Sequence, residues 1–69
     1  MRSRILLVVV AVASLSGVAD AHFVLGSAYA SLGRLREAEN EVRTGLEFDP
    51  GNAGGAQLLG EIQSRRKSP

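Results

Sequence analysis

The stretch that decides the fold is Ala19 to Asn52, ADAHFVLGSAYASLGRLREAENEVRTGLEFDPGN. Leu25, Ala28, Tyr29 and Leu32 recur at i, i+3, i+4 and i+7, the spacing of one helical face, and this stripe is expected to meet a neighbouring helix. Gly33 closes that helix, because glycine takes the left-handed conformation that pairs the last carbonyls without a Cβ clash. A second helix follows at once, with Leu35, Ala38, Val42 and Leu46 on one face and Arg36, Glu37, Glu39, Asn40 and Arg43 mostly on the other. It is expected to stop at Phe48. Asp49 precedes a proline and is biased out of helical dihedrals, and Pro50 cannot extend the backbone ladder. The whole is a helix-turn-helix hairpin of about 34 residues.

Leu25-Gly26, Tyr29, Gly33, Ala38 and the closing run Leu46-Glu47-Phe48-Asp49-Pro50 stand in one register, and in that register the segment resembles a tetratricopeptide repeat. The family pattern has a large apolar residue early in its first helix, a Leu-Gly pair, a tyrosine three residues on, an alanine early in the second helix and a closing proline. This chain departs from it at His22, where Trp or Leu is usual, at Val42, where an aromatic is usual, and at Gly45, where alanine is usual. Each departure lowers side-chain volume, and Gly45 weakens its helix by up to about 1 kcal/mol against alanine. The resemblance implies an all-α fold, a TPR-like antiparallel hairpin over residues 19–52.

Upstream of the hairpin, Arg2 and Arg4 precede an apolar run from Ile5 to Leu15, then Ser16-Gly17-Val18 and the small-x-small triplet Ala19-Asp20-Ala21. Charged, apolar and cleavage regions in that order read as a secretory signal peptide over residues 1–21. A spanning helix needs roughly 20 apolar residues, more than this run supplies before Asp20, so an uncleaved membrane anchor is the second choice. A buried core helix would need a polar outer face, which the run lacks. Cleavage after Ala21 would remove the start of the first hairpin helix as the repeat pattern defines it, so either that helix frays in the mature chain or it continues into a retained segment.

Downstream, residues 53–69 read as part of a second repeat or a capping helix. Asn52 is a candidate cap, and Ala56, Leu59, Gly60 and Ile62 form an apolar stripe in which Leu59-Gly60 echoes Leu25-Gly26. Gly54 and Gly55 each disfavour helix by about 1 kcal/mol, so helical order is expected from Ala56 onward. The basic end, Arg65-Arg66-Lys67, reads as cations favouring a helix C-terminus.

Between His22 and Pro69 the cations Arg34, Arg36, Arg43, Arg65, Arg66 and Lys67 are balanced by Glu37, Glu39, Glu41, Glu47, Asp49 and Glu61, so no field steers this part toward nucleic acid. The chain has no cysteine, which removes disulfides, thiolate metal sites and a lipid anchor on cysteine. His22 is the single histidine, with only Asp20 placed nearby in sequence, and no phosphate loop, nucleophile elbow or metal-spaced cluster occurs. An enzyme, a resident cofactor and a metal site are therefore not expected.

What is expected is a non-enzymatic protein-protein interaction module, exported to the periplasm or secreted, with a protein or peptide partner and a capacity for self-association. Contact with the membrane is expected only through the N-terminal segment. The resemblance implies a concave face carrying Phe23, Ser27, Ala30 and Ser31, with Gln57 and Glu61 on the third helix. Family members that hold a peptide carboxylate use Lys, Arg and Asn there, whereas Phe23 suits an apolar or helical segment better. Packing within the fold is the equal alternative for Phe23. A small membrane-anchored peptide and a piece of a longer repeat protein are the other readings of the chain, because about three repeats are needed for a stable array.

Overall fold

The computed structural model describes residues 2–68, with side chains from Gly17 onward. Three helices follow one another: α1 (Arg2–Ser31), α2 (Leu35–Phe48) and α3 (Ala53–Lys67), with no strand among the described residues. The run Ile5 to Leu15, on which the signal-peptide expectation rests, lies outside the described side chains. Among the described residues no helix is long and apolar enough to cross a membrane.

The first turn forms as its residues predict. Gly33 has φ 77°, and around it the Arg34 N–H donates to the Tyr29 carbonyl at 2.9 Å while the Gly33 N–H donates to the Ala30 carbonyl at 3.0 Å. This paired closure satisfies carbonyls that a helix end otherwise leaves orphaned, and it turns the chain back so that α2 lies along α1. The Arg34 guanidinium covers the Tyr29 ring at 5.0 Å. α2 ends at Phe48, where the Asp49 N–H still reaches the Gly45 carbonyl at 2.9 Å before Pro50 stops the ladder.

The second turn differs from expectation. α3 is helical from Ala53 rather than from Ala56, so Gly54 and Gly55 lie inside its first turn. The Asn52 side chain explains this: its Oδ1 accepts from the Gly55 N–H at 2.7 Å, its Nδ2 donates to Asp49 at 3.1 Å, and its carbonyl accepts from the Ala56 N–H at 3.1 Å. A cap of that kind stabilises a helix start by about 1 kcal/mol, comparable with what one glycine takes away.

The core is built from Ala30, Ala38, Val42 and Ile62, with Phe23, Tyr29, Leu35, Leu46, Leu58 and Leu59 packed around them. Two expected faces are corrected here. On α1 the buried line is Ala19, Gly26 and Ala30, whereas Leu25 is 42% and Leu32 is 71% exposed, so of the stripe read from sequence Tyr29 packs on the core while Leu25, Ala28 and Leu32 face solvent. Helix-helix distance is the reason. A Cβ on Gly26 would stand 2.6 Å from Val42 Cγ2 and 3.3 Å from the Ala38 carbonyl oxygen, an approach that large side chains on that face would prevent. On α3 the inward residues are Gly55 and Ile62 with Leu58 and Leu59 half-buried, while Ala56 and Gly60 are exposed.

Candidate interaction surface

Phe23 is half-buried, and its ring fills the space that side chains at two glycines would take. A Cβ at Gly45 would lie 2.6 Å from Phe23 Cε1, and a Cβ at Gly55 would lie 2.6 Å from both Cε1 and Cζ. The ring of α1 is thus wedged between α2 and α3, and the glycine at 45 is the socket rather than a loss of packing. Ala30 is buried in the core. Ser27, Ser31, Gln57 and Glu61 are exposed, with the Ser31 hydroxyl donating to the Ser27 carbonyl at 3.1 Å along α1. Of the six residues assigned to the concave face, two therefore pack inside the three-helix unit and four reach solvent.

Two polar constellations were not visible in the sequence. His22 Nδ1 lies 2.8 Å from Glu41 Oε2, and the imidazole stacks on the Phe48 ring with centroids 5.8 Å apart and planes 5° from parallel. The partner of His22 thus comes from α2, nineteen positions away, and not from Asp20. The contact with Glu41 ties α1 to the middle of α2, and the stacking on Phe48 ties it to the end of the same helix.

Glu39 is the second case. Expected on a solvated face, it is only 8% exposed, because α3 lies over it. Its carboxylate accepts from Arg43 of the same helix at 3.3 Å and from Arg66 of α3, and an open cleft of about 350 Å³ is lined by Glu39, Gln63, Arg66 and Lys67. Desolvation is the largest influence on this carboxyl and raises its pKa. The hydrogen bond from Gln63 and the guanidiniums of Arg66 and Arg43 together outweigh it, leaving the group below the usual carboxylate value. Glu37, in the first turn of α2, is also lowered, first by a backbone N–H and then by Arg34 at 3.4 Å and by Arg36, against a smaller desolvation. Only the Glu39–Arg43 spacing, i and i+4, was legible in advance.

The described surface has one further feature. Val18, Ala21, Leu25, Ala28 and, one residue past the end of α1, Leu32 are all exposed and fall at alternating steps of three and four, with Val24, 70% exposed, beside them. At 100° per residue this strip lies on the opposite side of α1 from Gly26 and Ala30. Among the described residues no group of three His, Cys, Asp or Glu side chains is gathered closely enough to hold a metal ion.

No family model, curated protein or solved structure matches the chain.

Proposed function

We propose that the chain is a non-enzymatic protein-protein interaction module, a TPR-like hairpin followed by a third helix that begins the pattern again. The observation that carries this is the uncovered apolar strip of α1, since contiguous exposed apolar residues on a small helical unit mark a contact surface. The repeat reading draws support from the close approach at Gly26, where the Leu-Gly pair of α1 meets Ala38 and Val42 of α2. It draws support also from the Gly33 turn and the Asp49-Pro50 stop, each at its place in the repeat register.

A photo-crosslinking amino acid placed in turn at Val24, Leu32 and, as a control, Asn40 tests the module reading in cells that express the chain. Adducts to protein at Val24 and Leu32 but not at Asn40 are expected. Equal yields at all three sites, or none at α1, overturn it.

On location we propose export directed by residues 1–21, with Val9→Arg abolishing it by placing a charge in the short apolar run. Retention of that segment as an anchor is the second reading. One observation favours it: Ala19 is fully buried and α1 runs through the Ala19-Asp20-Ala21 triplet. The mass of the mature chain separates the two.

A further inference from the structure

We propose that the exposed strip of α1 pairs antiparallel with the same strip of a second copy of this chain. The proposal rests on the interaction-module reading, names its partner, and applies to the chain that retains Val18 and Ala21. Three observations select a second copy. First, the strip alternates large and small residues, Leu25 and Leu32 against Ala21 and Ala28. Laid antiparallel about a two-fold axis between Gly26 and Ser27, Leu25 of one copy falls over Ala28 of the other, and Leu32 falls over Ala21. A parallel pair in register would set leucine on leucine and leave the alanines facing a gap, so the strip is complementary to itself in one sense only.

Second, charge does not oppose the pairing. Asp20 is the one Asp, Glu, Lys or Arg in α1 from Gly17 to Ser31, and it lies off the strip; His22 is turned to Glu41 of α2, and the other charged groups of the described side chains are on α2, α3 and the turns. Two copies approaching through this face therefore meet no like charges, and antiparallel helices also place opposite dipole ends together. Third, the area fits a reversible pair. The strip from Val18 to Leu32 is about 21 Å long at 1.5 Å per residue. It offers on the order of 400 Å² per copy, about half of the ~800 Å² that each partner of a standard stable interface buries. That area corresponds to a dimer that forms and dissociates with concentration rather than an obligate one.

The absence of native cysteine makes the register directly measurable. Full-length chains carrying Leu25→Cys, Ala28→Cys or, on α2, Asn40→Cys are mixed in pairs and oxidised under dilute conditions. The Leu25→Cys with Ala28→Cys heterodisulfide should form about tenfold faster than any pair containing Asn40→Cys, because only those positions are held within disulfide reach. Adding Leu32→Glu to both partners should bring that rate down to the control. Homodisulfides outpacing the heterodisulfide would overturn the antiparallel register, and rates equal to the Asn40→Cys control would overturn self-pairing altogether. The second result, combined with crosslinks from Val24 and Leu32 to a different protein, would leave the module reading standing. Crosslinks absent as well would remove both.

Discussion

Phe23 and Glu39 show how single side chains hold this unit together, and each can be tested alone. Gly45→Ala raises helix propensity, yet its new Cβ would meet the Phe23 ring at 2.6 Å, so the substitution is expected to destabilise by about 1–2 kcal/mol through overpacking. In a Phe23→Leu background the same change should be neutral or stabilising. A thermal or urea melt of the two single variants and the double variant measures the coupling, and additive effects would show that the ring does not occupy the socket. For Glu39 the sign follows from its lowered pKa. A carboxyl whose folded value is depressed adds stability above its unfolded value of about 4.3, and that stability is lost as pH falls through the lower folded value. Between neutral pH and pH 5 the α2–α3 contact should hold, and below the ordinary glutamate range it should loosen. Glu39→Gln should flatten that acid limb in a circular-dichroism titration, and an unchanged limb would place the acid sensitivity elsewhere.

At the scale of the elements, the turns and the inner face of α2 (Leu35, Ala38, Val42, Leu46) were legible, while the inner face of α1 and the start of α3 were not. Gly33, Pro50 and Asn52 act through their own backbone or a side chain three residues away, so their effects can be read locally. Which side of α1 faces α2 depends on how closely two helices approach, whereas Leu25 and Leu32 were expected on the inner side from their helical spacing with Ala28 and Tyr29. The structure puts Gly26 and Ala30 there. The small residues were the signal, and they carry little weight in a periodicity argument built on hydrophobicity. The same holds for Glu39 and His22, whose partners Arg66 and Glu41 come from other helices, and for Phe23, where the sequence offered packing and binding as equals. Gly26→Leu or Ala38→Leu should each destabilise the hairpin by about 1–3 kcal/mol, since the first strikes Val42 and the second lies fully buried at the same crossing. Glu41→Gln retains an acceptor for His22 on a partly exposed pair, and a shift under about 0.5 kcal/mol is expected. Equal melting behaviour of all three variants would mean that α1 and α2 do not cross at Gly26.

For the whole molecule, the uncovered apolar face belongs to α1. On α3, Ile62 is fully buried and Leu59 half-buried against the core, whereas α1 and the turn after it leave Val24, Leu25 and Leu32 in water. A unit of three helices without a disulfide has little stability to spare, so covering that face by association contributes to folding as well as to binding. Pairing of two copies through the outer face of α1 is tested most directly by sedimentation equilibrium of the full-length chain beside its Leu32→Glu variant. Leu32 is 71% exposed, so the change should leave the fold and its helicity intact. The wild-type mass should rise from monomer toward dimer over the micromolar range, and the variant should stay monomeric with the same circular-dichroism spectrum. A wild-type chain that sediments as a monomer throughout, with a sharp melt independent of concentration, would contradict it.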